Sequence, residues 1–350
     1  MPTRETNHFF RLSAYRDRIL AMITSGELAV EPAIRRNEIL RLLEGGLQDI
    51  SISRSRLPWG IPFPGSDGHT IYVWFDAVIN YLSATGFPEA GYERLWPADL
   101  HVIGKGITRF HCVLWPAMCL AAGIAPPRAV WAHGYVQWLG AKMSKTAGTA
   151  VNLDDAINRH GSDALRYFLI REVGFEADGD FTWERFDARY TADLADGLGN
   201  LVARSLAMIE KYRGGVVPSG PASPLDLEAT DRQLPAYQAA MDRYDLKGGA
   251  DAAWTLISAA DLFITQSAPW ALAKQGRGDE LDQVLASLYR TLVRIAIMAG
   301  PIMPAKTAEI RTALALPDPG TALWDRLQTP PTDGVTVRRP AILFPKPDRV

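Results

Sequence analysis

The chain has 350 residues, and 47% of them are hydrophobic, so it is long enough to bury a core in each of two or three domains. Its 37 Lys and Arg residues stand against 39 Asp and Glu residues, which excludes a sequence-wide field that attracts nucleic acid or an anionic membrane. No run has the apolar length of a signal peptide or a membrane span, so we expect a cytoplasmic protein without a membrane partner.

The first 50 residues carry two amphipathic patterns, "FFRLSAYRDRILAMI" and "RRNEILRLLEGG". Apolar residues recur in both at the spacing of one helix face, and a glycine pair ends the second. This part of the chain is therefore predicted to be helical and to pack against a larger part of the protein.

Strand and helix patterns alternate in the next hundred residues. The β-branched and aromatic run "TIYVWF", residues 70–75, predicts a buried strand, and "LHVIG" predicts another that leads into the helix "ITRFHCVLWPAMCLAAG". Cys112 and Cys119 lie in that helix at a spacing that fits neither a metal motif nor a disulfide framework, so both are predicted to be core thiols. A third apolar run, "PRAVWAHGYVQWLG", completes a predicted parallel α/β sheet, whose ligands bind beyond the carboxyl ends of the strands.

From residue 153 onward the patterns are almost wholly helical and predict an α-helical bundle. Segments such as "SDALRYFLIREV", "ADLADGLGNLVARSLAMIEKY" and "LDQVLASLYRTLVRIAIMAG" keep the helical spacing. A linker rich in Gly, Pro and Ser is predicted at "RGGVVPSGPASPLDLEA", and the tail "PDPGTALWDRLQTPPTDG" is predicted to be loop.

The segment "QWLGAKMSKTAGTAVN", residues 137–152, places lysines and hydroxyls among small residues. Backbone N–H groups and the ammonium groups of Lys142 and Lys145 are suited to a polyphosphate. A solvated surface loop has the same composition, and the spacing is not that of a P-loop. Taken alone, the segment leaves both interpretations open.

Its neighbours resemble a known family. The run "KMSKT" resembles the KMSKS signature of class I aminoacyl-tRNA synthetases. The blocks "ISRSRLPWGIPFPG", "IYVWFDAVINYLSA", "HVIGKGITRFHCVLWPAM", "AHGYVQWLGAKMSKT", "DGDFTWERF", "DLADGLGNLVARSLAMI" and "SAPWALAKQ" are similar, in this order, to successive blocks of methionyl-tRNA synthetases. The resemblance extends from Asn7 essentially to the end of the chain.

The resemblance implies an α/β fold in which the second half of a Rossmann-like, parallel-sheet catalytic domain precedes an all-α anticodon-binding bundle. Residues 1–50 would be the remainder of a connective region, 51–152 the catalytic part with the KMSKS-type loop, 153–185 a stem-contact junction and 186–350 the anticodon-binding domain. The implied activity is that of a methionine-tRNA ligase, which activates L-methionine with ATP and transfers it to tRNA(Met).

The resemblance also implies the residues that bind ATP. They are Lys142, Met143, Ser144, Lys145 and Thr146. The two lysines would be catalytic, because their charge stabilises the phosphates in the adenylation transition state. Mg²⁺ would accompany the ATP, and no zinc site is expected in this chain.

A methionine pocket is implied at Trp74, Ala77, Tyr81, Ile107, His111 and Trp115. A long, polarisable thioether favours aromatic surroundings, and Ile107, His111 and Trp115 repeat at four-residue spacing on one helix face. By pattern alone, aromatic residues at this spacing are more often core, and a lone histidine is more often a hydrogen-bonded buried residue than a ligand.

A helix face in the last third of the chain is predicted to meet the anticodon. At the helical period Leu194, Leu198, Leu201, Val202, Ser205 and Ile209 share one side of "LADGLGNLVARSLAMIE", whereas Asn200 and Arg204 point the opposite way. Amide and guanidinium groups hydrogen-bond unstacked bases, and Trp270 would supply a stacking platform. The alternative is a solvated polar face with Trp270 plugging the end of the bundle.

The chain departs from the family pattern in two places. No H-x-G-H motif occurs in it, which leads us to expect a chain truncated at its N-terminus. Gly106 stands where the family usually has an aspartate, while Arg54 matches a family arginine near the active site. The alternative function is a non-catalytic tRNA-binding module, or one half of a split synthetase that needs a separate N-terminal half.

Overall fold

The computed structural model describes residues 6–57, 59–143, 151–173, 177–317, 323–332 and 334–346, apart from the side chains of 323 and 324. The described residues form two compact units, of which the first runs to Tyr135 and also takes Ala177, and the second begins at Val136. Each unit encloses a hydrophobic core of its own.

The first unit is an α/β unit. Its strands are β1 (Phe9–Phe10), β2 (Ala29–Glu31), β3 (Ile50–Ser51), β4 (Ser53–Arg54), β5 (Thr70–Ile71), β6 (His101–Gly104) and β7 (Ala129–His133). Its helices are α1 (Arg16–Ser25), α2 (Ala33–Glu44), α3 (Val73–Ala77), α4 (Asn80–Ser83) and α5 (Trp115–Ala121), the last preceded by a π-helical turn, Phe110–Leu114. Strands β2, β7 and β6 form a parallel sheet in that order, while β1 pairs with β3 and β4 with β5 antiparallel.

The predicted parallel sheet is confirmed, but one of its predicted strands is wrong. The run 70–75 forms a strand only at Thr70–Ile71, and α3 begins two residues later. Val73 and Trp74 are exposed, so this run is not buried on two faces as the prediction required. A short apolar run does not distinguish strand from helix by composition, because burial and pairing decide between them.

The third strand of the sheet, β2, comes from the part of the chain that was predicted to be only helical. Val30 is buried and pairs with Val130 of β7. Three residues are too few to produce a visible alternation beside two strong helical patterns. The two predicted helices are present as α1 and α2, although the first begins at Arg16 and follows a strand at Phe9–Phe10.

Both cysteines lie in the core of the first unit. Cys112 belongs to the π-helical turn and Cys119 to α5, and both are buried and unbridged. Burial raises the pKa of the Cys119 thiol to about 12 and that of Cys112 still further, because the thiolate loses its hydration. The prediction of two core thiols is confirmed.

The second unit is mostly helical, as predicted. Its strands are β8 (Val136–Trp138), β9 (Ala141–Lys142) and β10 (Gly179–Asp180). Its helices are α6 (Leu153–His160), α7 (Ser162–Glu172), α8 (Trp183–Arg189), α9 (Asn200–Arg213), α10 (Pro224–Glu228), α11 (Leu234–Asp242), α12 (Leu246–Ser267), α13 (Pro269–Lys274), α14 (Gly278–Met298), α15 (Pro304–Ala313) and α16 (Leu323–Gln328). A π-helical segment, Tyr190–Gly199, joins α8 to α9, and α14 is buried along most of its length.

The predicted linker at residues 213–229 is a packed part of this unit. Ser223 and Asp226 form a capping box at the start of α10. The Arg290 guanidinium donates to the carbonyl oxygens of Gly220 and Pro221, and the Val217 N–H donates to Val335. Gly, Pro and Ser composition predicts the absence of regular structure, but not the absence of tertiary partners.

Candidate functional site

Two helical segments of the first unit carry the residues of the predicted pocket. Trp74 and Ala77 lie on α3 and Tyr81 on α4, so Trp74 is helical where a strand was expected, and the helix expected for Ala77 and Tyr81 is divided in two. The Tyr81 hydroxyl oxygen is 2.9 Å from Nε2 of His111, and the Trp74 ring is 5.7 Å from the ring of Phe110. These two contacts bring the segments against each other.

The hydrogen bonds of His111 define its tautomer. Nδ1 lies 3.0 Å from the carbonyl oxygen of Ile107, which only accepts, so Nδ1 carries the proton and donates it. Nε2 therefore accepts from the Tyr81 hydroxyl. Burial lowers the pKa of His111, although the bond to Ile107 partly opposes this, and burial raises the pKa of Tyr81. The pair is neutral at physiological pH.

A buried aromatic cluster adjoins this pair. Trp115 is 2% exposed and meets Trp96 edge to face at 5.7 Å, while His101 meets Tyr81 in the same way at 4.3 Å. Among the described residues, His101 Nε2 and Trp115 Nε1 have no hydrogen-bond partner. Burial and the nearby His111 lower the pKa of His101 to about 4, so this ring is neutral as well.

Sequence reasoning missed three residues of this arrangement, namely Trp96, His101 and Phe110. For His101 a signal existed, because His101 and Ile103 are buried on β6 while Val102 between them is exposed. That alternation would have placed the histidine on the inner face of the strand.

The other predicted pocket residues are open to solvent. Trp74 is 51% exposed, Ile107 is 38% exposed, and Ala77 is exposed beside Trp74 on α3. The site thus combines an exposed aromatic and aliphatic surface with a buried, hydrogen-bonded Tyr81–His111 pair. Such a surface suits an apolar, polarisable side chain better than a charged one.

Arg54 lies next to the start of α3. Its guanidinium carbon stands 3.8 Å above the ring centre of Tyr72, the residue that precedes this helix. Nη1 donates to Ser51 Oγ and to the Ser53 carbonyl oxygen at 3.1 and 2.7 Å. The arginine is thereby held near the helix that carries Trp74, and it is not a free loop charge.

Gly106 follows the carboxyl end of β6. The Tyr135 hydroxyl occupies the position that a β-carbon at residue 106 would take. The ring of Tyr135 also lies 5.1 Å from the Lys105 ammonium nitrogen. Glycine is needed here for space, since any side chain at this position would displace the tyrosine.

A hairpin in the second unit carries Lys142. Strands β8 and β9 pair antiparallel through a turn at Leu139 and Gly140, whose φ angles of 50° and 73° are those of a type I′ hairpin. Lys142 is exposed on β9, and the half-buried Met143 packs against the core of this unit. Ser144, Lys145 and Thr146 lie outside the described residues.

The "DGDFTWERF" block supports this hairpin. Strand β10 pairs parallel with β8, the Gly140 N–H donates to Asp180 Oδ1 at 2.8 Å, and Gln137 donates to Asp178 Oδ2 at 2.9 Å. A β-carbon at Gly179 would collide with the backbone of Glu172 and Val173, so only glycine fits there. The block holds the strands that lead into the lysine-rich loop.

The predicted anticodon face lies on the helical segment that ends in α9. All six residues predicted to face inward are buried, whereas Asn200 is exposed and Arg204 is partly exposed, so the predicted orientation of this helix is confirmed. Arg204 Nη1 is 3.2 Å from Asp261 Oδ1 on α12. Trp270, 51% exposed, lies in the first turn of α13.

Asn200 borders a groove of about 600 Å³. Small residues of the same helical segment, Ala195, Gly199 and Ala203, form one side, and residues 339–346 of the tail form the other. Gly199 packs closely here, since a β-carbon at this position would be 3.2 Å from the Phe344 ring and the ring would have to shift slightly. Asn200 is therefore at the edge of a groove and not on a convex surface.

Among the described residues, no His, Cys, Asp and Glu side chains converge in a group of three or more that suits a metal ion. In the same part of the chain, no helix has the length and apolarity needed to cross a membrane.

Two family models match the chain. Residues 1–206 match the model described as tRNA synthetases class I (M), and residues 218–347 match the anticodon binding domain of methionyl tRNA ligase. Together they cover most of the sequence. The residues between the two matches, 207–217, are the second half of α9 and the start of the segment that links it to α10.

Individual relatives agree with these models. A methionine–tRNA ligase of Thermotoga maritima is 42% identical over 87% of this chain, and one of Brucella suis biovar 1 is 40% identical over 98% of it. The chain spans 50% of the first protein's length and 67% of the second's. The structure of Mycobacterium tuberculosis methionyl-tRNA synthetase with methionyl-adenylate is 35% identical, has a TM-score of 0.91, and aligns with 98% of this chain and 69% of its own.

Both family models match this chain. The matched residues include the Tyr81–His111 pair, the parallel sheet, the hairpin of Lys142 and most of the helical second unit. The chain belongs to the methionyl-tRNA synthetases, a family of class I tRNA synthetases.

Proposed function

We propose that this chain supplies the methionine pocket and the anticodon-binding domain of a cytoplasmic methionine-tRNA ligase. In that reaction the carboxylate of L-methionine attacks the α-phosphate of ATP and releases pyrophosphate. The terminal adenosine hydroxyl of tRNA(Met) then displaces AMP from the adenylate. The observation that carries the proposal is the neutral Tyr81–His111 pair together with the exposed ring of Trp74, because these groups offer a thioether an uncharged aromatic surface that a hydrogen bond holds in place.

Each pocket residue has a role that follows from its exposure. Trp74, Ala77 and Ile107 offer the exposed apolar surface that a methionine side chain contacts. Tyr81, held by His111, contributes its aromatic ring, and the buried Trp115 packs against Trp96 in the core next to them. Arg54, stacked on Tyr72, supports α3 from outside.

The phosphates of ATP are proposed to meet residues 142–146, with Mg²⁺ bound to the nucleotide. Lys142 and Lys145 stabilise the charge that develops on the phosphates, and Met143, Ser144 and Thr146 complete the loop. The support for this role is the hairpin, since its I′ turn and Asp180 direct β9 and the exposed Lys142 into that loop.

In the second unit, Asn200, Arg204 and Trp270 are proposed to bind the unstacked bases of the tRNA(Met) anticodon. Their exposure and the groove beside Asn200 support this role. The proposed domains are a connective region at residues 1–50, a catalytic part at 51–152, a stem-contact junction at 153–185 and an anticodon-binding domain at 186–350.

A second candidate is a tRNA-binding module, or one half of a synthetase that works with a separate N-terminal half. The observation that favours it is the lack of an H-x-G-H motif in this sequence. Both candidates bind tRNA(Met), but only in the first is the chain part of a single polypeptide that forms methionyl-adenylate.

Calorimetric titration of the 350-residue chain with L-methionine tests the pocket. We expect binding that L-isoleucine does not reproduce, and about tenfold weaker binding for Tyr81→Phe, because His111 Nε2 loses its donor and the ring of residue 81 is no longer held in place. Tyr92→Phe is the matched control, since it removes a phenol hydroxyl from the same unit without touching His111. A folded chain that fails to bind methionine contradicts the proposed pocket.

Methionine-dependent exchange of pyrophosphate into ATP then separates the two candidates. Exchange by this chain, lost in Lys142→Ala, supports the ligase. Methionine or tRNA(Met) binding without exchange would show that adenylate formation needs residues outside these 350.

A further inference from the structure

The ion pair between Arg204 and Asp261 joins the predicted base-reading helix to its neighbour. Arg204 Nη1 on α9 donates to Asp261 Oδ1 on α12 at 3.2 Å. Both side chains are partly exposed, at 39% and 31%. Among the described residues, Nε and Nη2 of Arg204 have no partner, so the rest of the guanidinium remains available to a ligand.

Asp261 also lies on α12, the helix that precedes the one carrying Trp270. Helix α12 ends at Ser267, six residues after Asp261, and Ala268 adopts a left-handed conformation with φ of 42°. Helix α13 begins at once with Pro269, which places Trp270 in its first turn. One ion pair therefore ties the guanidinium of Arg204 to the helix that immediately precedes the one carrying Trp270.

The charge of Asp261 argues against a direct role in binding RNA. A carboxylate repels phosphates, so by itself it lowers affinity for any nucleic acid. Its contact with Arg204 has the opposite consequence for selectivity, because an anchored guanidinium loses less rotamer freedom when it hydrogen-bonds a base. A residue of this kind improves discrimination at the expense of general affinity.

We propose that Asp261 is a positioning residue for anticodon recognition, which holds Arg204 so that its unpaired N–H groups meet a base stacked on Trp270. This inference rests on the proposed role of Asn200, Arg204 and Trp270. It adds that selectivity for the anticodon depends on a residue that does not itself contact the RNA.

Fluorescence anisotropy with two labelled RNA hairpins tests the inference. One hairpin carries the CAU anticodon loop of tRNA(Met), and the other differs only in the first anticodon base. We expect the intact chain to prefer the CAU hairpin and Asp261→Ala to reduce that preference about tenfold. Affinity for the altered hairpin should stay equal or rise, because a negative charge has been removed.

Two further variants distinguish positioning from a general structural role. Asp261→Asn keeps an acceptor oxygen at the same place, so it should retain part of the preference. Asp282→Ala is the matched control, since it removes the carboxylate that Arg213, also on α9, contacts at 2.5 Å. Each variant must melt at the temperature of the intact chain, and Asp282→Ala should keep the full preference.

The outcomes separate the inference from the proposed function. If the intact chain shows no preference for CAU, the proposed anticodon role fails and the inference falls with it. If the intact chain and Asp261→Ala show the same preference, only the inference is overturned. If Asp261→Ala weakens selectivity further in an Arg204→Ala background, the two residues act independently, which also overturns it.

Discussion

The Tyr135 hydroxyl stands where the β-carbon of residue 106 would lie if that residue were not glycine. Position 106 is also where the resembling family usually has an aspartate, and in this chain a carboxylate there would meet Tyr135. The contact lies just beyond the carboxyl ends of the parallel strands β6 and β7, the edge at which α/β sheets bind ligands.

The Gly106–Tyr135 contact predicts that Gly106→Ala destabilises the first unit. Overpacking of this kind costs about 1–3 kcal/mol in the free energy of unfolding, and the low end applies because Tyr135 is partly exposed and able to move. Urea denaturation followed by tryptophan fluorescence measures the change. Gly104→Ala is the control, since a β-carbon there would be 3.7 Å from the Tyr135 ring, an ordinary contact.

The same contact predicts that Gly106→Ala and Tyr135→Ala do not add. Once the tyrosine side chain is gone, the extra methyl group at residue 106 has no hydroxyl to displace, so the alanine should then cost little. A cost of Gly106→Ala that is unchanged in the Tyr135→Ala background would contradict the contact.

We expect the stability of the first unit to depend on pH because His101 titrates differently in the folded and unfolded chain. Its pKa is about 4 in the folded chain, below the ordinary value of 6.5, so between these values the unfolded chain binds more protons. The stabilising contribution is complete above pH 6.5 and is lost as the pH falls toward 4, and it is on the order of 3 kcal/mol. His111, whose pKa is also lowered, adds to the effect in the same direction.

The test compares urea denaturation of this unit at about pH 7.5 and about pH 5. In His101→Phe, which keeps an aromatic ring against Trp96 and Tyr81, the difference between the two values should shrink. An unchanged pH dependence in that variant would show that His101 is not its source.

We expect the second unit to lose much of its stability when Asp226 is replaced or protonated. Its carboxylate is 3% exposed and accepts hydrogen bonds from Arg290, Arg294 and Ser287. Burial by itself raises the pKa of Asp226, but the bonds from Arg290, Ser287 and the Ser223 backbone outweigh it and leave the pKa well below its usual range. Stability should therefore also fall as the pH drops below about 3.8.

Asp226→Asn removes the charge but not the shape of this side chain, and it leaves the buried Arg294 and the partly buried Arg290 without their counter-ion. We expect it to lower the free energy of unfolding by about 3–5 kcal/mol, measured by chemical denaturation. Glu280→Gln, which breaks the exposed pair with Arg277, should change stability by less than about 0.5 kcal/mol. Equal effects of the two variants would contradict the role of burial.

We expect the hairpin that carries Lys142 to be stabilised by Asp180. Asp180→Ala deprives the Gly140 N–H of its acceptor, so hydrogen exchange at Gly140 should accelerate, and with it exchange at the neighbouring amides of β9. Asp180→Asn retains an acceptor and serves as the control. Unchanged exchange in Asp180→Ala would mean that the turn is stable without it.

Local patterns predicted the parts of the structure that depend on local physics. The helical period of α9 placed six residues inside and Asn200 and Arg204 outside, and the structure confirms that division. The same reasoning failed for residues 70–75, because strand and helix share one apolar composition there and only the pairing of β5 with β4 distinguishes them. Strand β2 was not predicted, because it is short and its partner, β7, lies a hundred residues further along the chain.

The motif blocks by themselves determined the family, the order of its parts and the residue types of its sites, since these are linear features of the sequence. The tertiary structure alone decided which groups meet: Tyr81 with His111, Tyr135 in the space at Gly106, and Asp261 with Arg204. The physical reason is that contact between residues far apart in sequence depends on how helices and strands pack. A side chain's hydrogen bonds, pKa and freedom to bind a ligand are set by those neighbours and not by its own position in the sequence.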